Sequence, residues 1–350
     1  MWDLTRGLAG RDIDTDMLCA SLDGRQIIKL GNHGRCICVK ALCKVAATMI
    51  SPEMICWLRR HKNDYDIIHV HHPDPMACLA LRLSGYKGKV VLHWHSDILK
   101  QKGLLKLYMP LQRYLVRRSD TIVGTSPVYV RESPALAEVQ GKVTCLPIGI
   151  SDSIRSRTRP AQGLSDRKMI FSLGRLVEYK GFEYLIEAAC HLPDDYEVVI
   201  AGEGPEYSRL KKIIGEKALE GKVRILGYVD DATARELFNR CSVFVLSSVL
   251  KTEAFGIVQI EAMSCGKPVV ATRIPGSGTS WVNADGISGL NVECRNPRAI
   301  AAAVQTICRD SKTYEDFCNG ARQRFEKMFT IEAMIEGAVR IYGGEGKLAE

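Results

Sequence analysis

EAFGIVQIEAMSCGKPVVAT, residues 253–272, is the stretch that decides the fold. An apolar run at Val243–Leu246 precedes it, a helical pattern covers about 255–265, and a second apolar run occupies Pro268–Ala271. A short β-rich run, an amphipathic helix and another β-rich run form one unit of a parallel sheet. This stretch therefore predicts a doubly wound α/β domain.

The same alternation continues on both sides of this stretch. Further apolar runs lie at Met169–Leu173, Tyr196–Ala201 and Val223–Leu226, with helical patterns at about 183–192, 205–217, 231–240 and 297–308. The first half repeats the alternation less regularly, with strands expected at Asp66–His71, Val90–His95, Asp120–Gly124 and Lys142–Pro147. We therefore predict two Rossmann-like domains that face a cleft, with ligands at the carboxyl ends of their strands.

The boundary between the two domains is predicted at residue 152. The stretch Gly149–Asp166 is rich in Ser, Arg, Thr, Pro and Gly and poor in apolar residues, which is typical of a linker. We assign residues 1–152 to an N-terminal domain, 153–330 to a C-terminal domain and 331–350 to a final helix and tail. The helical pattern at Ile331–Tyr342 fits either domain.

The amino end of the chain departs from the doubly wound pattern. Trp2–Leu8 has a helical pattern that stops at Gly10, and Asp14–Ala20 has the pattern of the next strand. A doubly wound domain opens with a strand that is central in the order 3-2-1-4-5-6, and its loss leaves unpaired ladder groups inside the sheet. Our hypothesis is that this first strand and its loop are missing, and that Met1 is an internal methionine of a longer protein or the chain is truncated.

Composition narrows the class of protein. The chain has 350 residues, of which 46% are hydrophobic and 25% charged, a globular profile. It has no apolar run of membrane-spanning length and no signal-peptide pattern, and its 13 cysteines are scattered, so we expect a reducing, cytoplasmic location. Residues 1–150 contain 21 Lys/Arg and 13 Asp/Glu, which is the whole net charge of +8. A basic half predicts an anionic partner.

The residues from Glu253 to Glu261 are the strongest candidate site. Free amides of Phe255, Gly256 and Ile257 at the start of a helix would form an anion site, and glycine allows a phosphate to approach the backbone. If the stretch is helical throughout, the two glutamates lie about 12 Å apart along the axis, roughly the span from a hexose to a ribose across a diphosphate. The alternative, judged on spacing alone, is an amphipathic helix with exposed glutamates.

A second candidate is the segment SLGRLVEYKG at 172–181, which follows a strand and opens a helix. Arg175 and Lys180 after Gly174 would neutralise a diphosphate without a metal ion, and the alternative is two solvated loop cations. Gly202, in the AGEGP turn at 201–205, is compatible with a nucleotide but weak evidence alone.

Other candidates are weaker. Gly266-Lys267-Pro268 lacks the remaining residues of a P-loop, and Asp12-Ile-Asp14 matches a metal-binding DxD but lies at a helix end. His69, His71 and His72 lack a further ligand that would complete a zinc site, so we predict no metal. His95 ends a strand beside Ser96 and Asp97, where a structural role and an active-site role are about equally expected.

Taken together, these motifs resemble the retaining glycosyltransferase family 4, of GT-B fold, in its bacterial polysaccharide type. The resemblance covers nearly the whole chain, and its parts are GRLVEYKG at 174–181, AGEGPE at 201–206, ELFNRCSVFVLSS at 236–248, EAFGIVQIEAMSCGKPVVAT at 253–272 and DGISGLNV at 285–292.

The resemblance implies a hexosyltransferase that moves a sugar from a UDP- or GDP-sugar to a glycan or lipid-linked acceptor with retention of configuration and without a metal or other cofactor. It implies an acceptor-side N-terminal domain and a donor-binding C-terminal domain. By resemblance, catalysis would use His95 and Glu253, and the donor would contact Gly174, Arg175, Lys180, Gly202, Tyr228, Val229, Phe255, Gly256, Ile257 and Glu261.

Two departures from the family pattern favour an alternative. The glycine-rich loop after the first strand is absent, and the usual Asn-Gly-(Ile/Val)-Asp run appears as Ile148-Gly149-Ile150-Ser151. A catalytically impaired or non-catalytic nucleotide-sugar-binding protein is therefore the rival, with a GT-B epimerase as a second.

The segment 98–118 mixes apolar and basic residues and predicts peripheral contact with an anionic membrane, unless it is a domain helix with a solvated basic face. No aromatic stacking platform accompanies the basic residues, so nucleic-acid binding is not expected.

Overall fold

The computed structural model describes residues 1–46, 48–98, 102–151 and 164–344, with the side chains of 102–107 left out of the description. The chain contacts divide it into two compact units, Met1–Pro147 with Ile331–Glu350, and Ile148–Thr330. The final helical segment, which fits either domain by sequence, therefore packs with the first unit. The predicted linker, 149–166, lies mostly outside the described residues.

The second unit contains one six-stranded sheet in the order β12-β11-β10-β13-β14-β15, and every neighbouring pair is parallel. Its strands are β10 (Lys168–Leu173), β11 (Tyr196–Ala201), β12 (Val223–Ile225), β13 (Val243–Leu246), β14 (Val269–Arg273) and β15 (Gly289–Glu293). Its helices are α6 (Phe182–Ala188), α7 (Tyr207–Glu216), α8 (Asp231–Arg240), α9 (Ile257–Ser264), α10 (Thr279–Val282), α11 (Pro297–Ile307) and α12 (Ser311–Met328). Relabelled from β10, the order is 3-2-1-4-5-6, the doubly wound arrangement that the sequence predicts.

Both faces of this sheet are buried. Ile170, Val198 and Val243 pack into one apolar cluster, whereas their chain neighbours Phe171, Val199 and Phe244 pack into another. Successive strand side chains point to opposite faces, so two apolar clusters require nearly continuous apolar strands. That is why the runs along β10, β11 and β13 are visible in the sequence.

The first unit contains two main sheets in which most neighbouring strands are parallel, whereas the sequence predicts a single sheet. One sheet has the order β1-β3-β2, in which β1 and β3 are parallel and β2 is antiparallel, and the other has the order β6-β7-β8-β9, all parallel. The strands are β1 (Thr15–Ser21), β2 (Gln26–Lys29), β3 (Gly34–Lys40), β4 (Cys43–Val45), β5 (Thr48–Ile50), β6 (Ile67–His72), β7 (Lys89–Trp94), β8 (Thr121–Gly124) and β9 (Val143–Cys145), with β4 and β5 forming a separate hairpin. The helices are α1 (Trp2–Ala9), α2 (Pro52–His61), α3 (Pro75–Ser84), α4 (Lys102–Arg118), α5 (Pro127–Arg131) and α13 (Ile331–Gly343).

Helices cover both faces of these two sheets. On one face, Met54 of α2 and Met76 of α3 form a cluster that Leu18 of β1 and Ile68 of β6 join. On the other, α1 and α13 pack together around Leu8 and Ile335, a cluster that Ile67 of β6 joins. The two sheets therefore share the same pair of helical layers.

Candidate active site

The candidate site of the second unit lies where its strand order reverses. β10 and β13 are neighbours in the sheet, but β11 and β12 lie between them in the chain. The loops that leave the carboxyl ends of two such strands diverge and open a crevice, which is the usual ligand position in an open α/β sheet. The loop after β10 carries Arg175 and Lys180, and the loop after β13 carries Glu253.

An ion pair joins these two loops. Lys180 Nζ lies 2.5 Å from Glu253 Oε2, and the two side chains are only 12% and 11% exposed. Removing one member of a poorly solvated pair leaves an uncompensated charge, so each charge depends on the other. Lys180 was predicted to contact a diphosphate and Glu253 a sugar; the structure adds that the two groups form an ion pair with each other.

Serine residues fix the position of Glu253. Ser248 Oγ donates a hydrogen bond of 2.9 Å to Glu253 Oε2, and the Ser277 hydroxyl donates to the Glu253 carbonyl oxygen. Oε2 thus accepts from both Lys180 and Ser248. Neither serine was among the predicted site residues, although Ser248 lies two residues after the buried strand β13 and Ser277 lies in the IPGSG turn.

Helix α9 begins beside this pair. Gly256 is its N-cap with φ of +78°, and a Cβ there would lie 2.7 Å from Gln259 Nε2 and 2.9 Å from Leu246 Cδ2. Among the described residues no group accepts a hydrogen bond from the amides of Phe255, Gly256 or Ile257. Unpaired amides and the helix dipole make this end suited to an anion.

The helix starts two residues later than the sequence predicts, which changes one expectation. Because α9 begins at Ile257, Glu253 lies in the preceding turn and only Glu261 is helical. The estimate of about 12 Å between the two carboxylates assumed continuous helix from Glu253. That estimate is therefore wrong in its premise, since three of the seven intervening residues, 254–256, precede the helix.

Close backbone contacts shape the floor of the crevice. Gly202 has φ of +134°, and a Cβ there would lie 1.9 Å from the Gly174 carbonyl oxygen. The Gly174 amide donates to the Ala201 carbonyl at 3.0 Å, and the Gly202 amide donates to Gly227 at 2.7 Å. Glycine at position 202 is therefore required for the loops after β10 and β11 to touch.

The remaining predicted donor residues surround these loops. Arg175 is exposed, Tyr228 is 73% exposed and Val229 is half-buried after β12. Burial raises the pKa of the Glu261 carboxyl, and the nearby negative charge of Asp231 acts in the same direction. No cation or donor in the described part of the chain pairs with the Glu261 carboxylate.

His95 belongs to the first unit and is described there by itself. It directly follows β7, which ends at Trp94 rather than at His95 as predicted. Its Nε2 lies 2.8 Å from His71 Nδ1, and burial, reinforced by the positive N-terminus, lowers its pKa to about 4. His95 is therefore neutral near pH 7 and can accept or donate a hydrogen bond.

The adjoining loop is anchored through Asp97. The Asp97 amide donates to the Tyr129 hydroxyl at 2.9 Å, and Asp97 Oδ1 accepts from Ser133 Oγ at 2.6 Å and from Trp94 Nε1 at 3.1 Å. The segment from His95 to Asp97 is thus held at both ends, by β7 and by α5 with the turn after it.

The histidine group differs from the predicted one. His69, His71 and His93 have ligand atoms within 4.8 Å of one another, whereas His72 points to the other face and stacks on Trp94 with ring centroids 3.8 Å apart. The alternation of strand side chains separates His72 from His71. Asp12 and Asp14, the DxD carboxylates, are both exposed and contact His33 at 3.4 and 2.9 Å.

The segment proposed for membrane contact is largely a domain helix in its described part. Tyr108 and Leu115 of α4 are buried in the first unit, and Arg118 donates to the Gly88 carbonyl. Those apolar side chains are unavailable to a lipid surface, which corrects their inclusion in the predicted membrane face. Among the described residues, no helix combines the length and the apolar character needed to cross a bilayer.

The second unit therefore combines an uninterrupted parallel sheet, a cation–carboxylate pair where the strand order reverses and unpaired amides at the start of α9, which is the arrangement of a doubly wound α/β protein. Residues 155–324 match the family described as Glycosyl transferases group 1, and residues 1–153 match the family described as Glycosyltransferase Family 4. The chain is 32% identical over 349 residues to O-antigen chain mannosyltransferase C of Escherichia coli, which covers 98% of this chain and 92% of that protein. The chain therefore belongs to the family 4, group 1 glycosyltransferases.

Other proteins agree with this assignment. D-rhamnosyltransferase WbpZ of Pseudomonas aeruginosa is 31% identical over 295 residues, 82% of this chain and 76% of that protein. A glycosyltransferase structure from Rickettsia africae superposes with a TM-score of 0.73 at 17% identity, covering 98% of this chain and 93% of that one. Anabaena HepE in complex with UDP gives 0.70 at 20% identity, covering 83% and 82%. These structures establish the GT-B fold.

Proposed function

We propose that this glycosyltransferase moves a hexosyl group from a UDP- or GDP-sugar to a polysaccharide or lipid-linked acceptor, with retention of configuration and without a metal ion. The ion pair between Lys180 and Glu253, beside the open end of α9, carries the proposal. Relatives named for mannosyl and rhamnosyl transfer support a hexose-type donor, and HepE, solved with UDP, supports a nucleotide-diphosphate one.

The transfer breaks the bond between the sugar and the diphosphate, so negative charge grows on the leaving phosphate. Lys180 has three N–H donors and can keep Glu253 while it donates to a phosphate oxygen. Arg175 and the free amides at the start of α9 add positive character, which stabilises that charge without a metal. Removal of divalent ions with a chelator should leave turnover unchanged; a loss restored by magnesium would contradict metal independence.

The two carboxylates would bind hydroxyl groups of the donor. Glu253 is fixed by Ser248 and Lys180 and is an acceptor for hydroxyls of the transferred sugar. Glu261, one helical turn inside α9 and unpaired in the described structure, is the proposed acceptor for the ribose hydroxyls, with Tyr228 and Val229 beside the base. His95 remains the proposed catalytic residue of the first unit.

Donor turnover with matched variants tests the proposal. Glu253→Gln keeps the shape but weakens an interaction with the reacting sugar, so turnover should fall about 100-fold or more while nucleotide affinity changes less than about threefold. Lys180→Met should weaken nucleotide-diphosphate binding about tenfold, because it removes a phosphate contact. Lys212→Met, on an exposed lysine paired with Glu216, is the control and should change neither.

The expected split between turnover and affinity identifies the role of Glu253. Equal losses of both in Glu253→Gln would contradict a sugar contact, and nucleotide binding by Lys180→Met equal to that of the unmodified chain would contradict a diphosphate contact. Melting curves of each variant separate these results from unfolding. Product anomers assigned by nuclear magnetic resonance test retention.

We also propose a cytoplasmic enzyme with peripheral contact at an anionic membrane. The net charge of +8 and the exposed basic residues of α4, such as Arg113 and Arg117, support this contact, because exposed cations are attracted to anionic lipid. The fraction of the protein that sediments with anionic vesicles should therefore fall as the salt concentration rises. Absence of binding at low salt would end this proposal without affecting the transferase assignment.

A further inference from the structure

Three of the 13 cysteines meet in the three-stranded sheet of the first unit. Cys19 lies on β1, and Cys36 and Cys38 lie two residues apart on β3. These strands are parallel, and their register sets Cys19 directly beside Cys38. Because strand side chains alternate between faces, the two cysteines of β3 point the same way, and all three thiols share one face of the sheet. Strand pairing therefore gathers cysteines that are scattered in the sequence.

The other face of these strands belongs to the apolar core. Ile37 and Val39 of β3 pack there with residues of α2 and α3. On the cysteine face, Cys36 is 2% exposed, whereas Cys19 and Cys38 are half-buried. A small ion can therefore reach the sulfur group from solvent through its two half-buried members.

The sulfur atoms are spaced almost as three ligands of one ion. Cys19 Sγ lies 3.2 Å from Cys38 Sγ and 3.8 Å from Cys36 Sγ, and the remaining pair is 3.9 Å apart. At the Zn–S bond length of about 2.3 Å, three sulfurs placed symmetrically around an ion in one plane are about 4.0 Å apart. Two of the three distances agree with this spacing to within about 0.2 Å, and the third pair would open by about 0.8 Å.

A disulfide between Cys19 and Cys38 is the alternative use of this group. It would require the two sulfurs to approach to about 2.05 Å, together with an oxidant. It would also leave Cys36, the most buried of the three, without a role. Coordination of one ion uses all three sulfur atoms.

The composition of the group favours a soft metal ion. In the described part of the chain, no fourth His, Cys, Asp or Glu belongs to it. Thiolates select soft cations such as Cu(I), whereas structural zinc sites close with four protein ligands. Burial raises the pKa of the Cys19 and Cys36 thiols, so these groups hold their protons near neutral pH until a metal ion replaces them.

We propose that Cys19, Cys36 and Cys38 form a three-coordinate site for a thiophilic metal ion of the Cu(I) type. Three S–H bonds break and three metal–sulfur bonds form; the three protons pass to solvent, and neither the sulfurs nor the metal changes oxidation state. In the described structure β1 has β3 as its only strand partner, so a bound ion would fasten an edge strand and stabilise the first unit. The site contains none of the proposed donor-binding residues and is separate from the metal-independent transfer step.

Anaerobic titration of the reduced full chain with Cu(I) tests the proposal. Competition with a chromophoric Cu(I) chelator measures the affinity, and X-ray absorption counts the sulfur ligands. Cys38→Ser should weaken binding of the first Cu(I) about 100-fold or more, because it removes one of three soft ligands. The matched control, Cys43→Ser on an exposed cysteine of β4, should leave the affinity unchanged. His93→Phe, which disrupts the group of His69, His71 and His93, should also leave it unchanged.

Amide hydrogen exchange shows whether the ion joins the two strands. Addition of Cu(I) should slow exchange in β1 and β3 of the unmodified chain about tenfold and have no such effect in Cys38→Ser. Equal exchange in β6 and β7 of the two metal-free proteins shows that the variant has kept the fold of the first unit. If it has not, Cys19→Ser at the other half-buried position replaces it in the same test.

Three results would overturn the proposal. The first is equal Cu(I) affinity of the unmodified chain and the cysteine variant. The second is a Cu(I) ion bound through nitrogen whose binding is lost in His93→Phe. The third is a Cys19–Cys38 disulfide in the purified protein with no tight Cu(I) binding after its reduction. One Cu(I) per chain with three sulfur ligands supports the site.

Discussion

The two units of this glycosyltransferase use the same strand–helix alternation, but only one has an uninterrupted sheet. In the second unit six parallel strands pair without a break, and the loops after β10 and β13 hold Lys180 and Glu253 together. In the first unit the corresponding layer consists of two separate sheets, one with β1 at its edge and the other with β6 at its edge. The first unit shows that helices can pack on both faces of a sheet layer that is not continuous. The Lys180–Glu253 site of the second unit, in contrast, depends on the pairing of β10 with β13.

The units also differ in how they bury charge-bearing groups. The first unit contains seven of the eight histidines, and five of them lie on or directly after β6 and β7; the second contains only His191, which is exposed. The second unit instead buries a compensated ion pair. This contrast leads to predictions that separate the units experimentally.

The largest expected effect is selective unfolding of the first unit in acid. Burial lowers the pKa of His69 and His72 to about 3 and of His95 to about 4, below the ordinary value of 6.5. The unfolded chain therefore binds more protons, so stability falls as pH drops from about 6.5 towards 4. Hydrogen exchange measured by peptide at pH 4.5 should show β6 and β7 open while β10 and β11 stay protected.

Two variants sharpen this test. His93→Phe removes a buried imidazole without hydrogen-bond partners and should shift the acid transition of the first unit to lower pH. His191→Gln, in the second unit, should leave both transitions in place. Simultaneous loss of protection in both units would show that acid does not distinguish them.

The next effect concerns the contact between the loops after β10 and β11 in the second unit. Gly202→Ala places a Cβ 1.9 Å from the Gly174 carbonyl oxygen at a positive φ. We expect a loss of about 3 kcal/mol or more in unfolding free energy of the second unit, together with loss of donor binding. Gly221→Ala is the control, because a Cβ there meets nothing within 4 Å. Similar denaturation curves for the two variants would contradict the close approach.

The smallest expected effect is at Glu261, where removal of the charge should raise stability and weaken nucleotide binding. Because its pKa is raised above the ordinary 4.5, the folded state holds the proton more tightly than the unfolded state does. The free energy of unfolding therefore falls as the pH rises through the range between the unfolded and the folded pKa of Glu261. Glu261→Gln should therefore stabilise the second unit at pH 7 by less than about 1 kcal/mol while weakening nucleotide binding. Glu216→Gln, on an exposed glutamate, should do neither. Weaker binding without a gain in melting temperature would count against burial as the cause of the raised pKa.

Sequence patterns were most informative where strands are buried on both faces. The apolar runs at β10, β11 and β13 were predicted to within a residue at each end, and the doubly wound sheet follows from them. The GT-B fold, which is confirmed, was expected from the family resemblance. β15 was missed because Gly289–Glu293 is only five residues long and contains just two large apolar side chains, and α12 was missed because Ser311–Met328 is mostly polar. Tertiary contacts stabilise both elements, and periodicity alone does not reveal such contacts.

The sequence offered Lys180 and Glu253 as candidate site residues, but it did not predict that their side chains contact each other. Lys180 and Glu253 were identified from separate loops, yet they lie 73 residues apart and only the adjacency of β10 and β13 joins them. The supporting hydroxyls of Ser248 and Ser277 depend on the same adjacency. The start of α9 also shifted by two residues, because Gly256 at φ of +78° caps the helix instead of entering it.

The buried setting of the Lys180–Glu253 pair has a consequence for the kinetics of donor arrival. Salt screens charges in solvent strongly but hardly weakens a pair excluded from water. Arg175 is exposed, whereas Lys180 is nearly covered. Ionic strength should therefore slow the encounter of an anionic donor with Arg175 and leave the bound arrangement around Lys180 almost unchanged, so that salt lowers the association rate constant far more than it raises the dissociation rate constant.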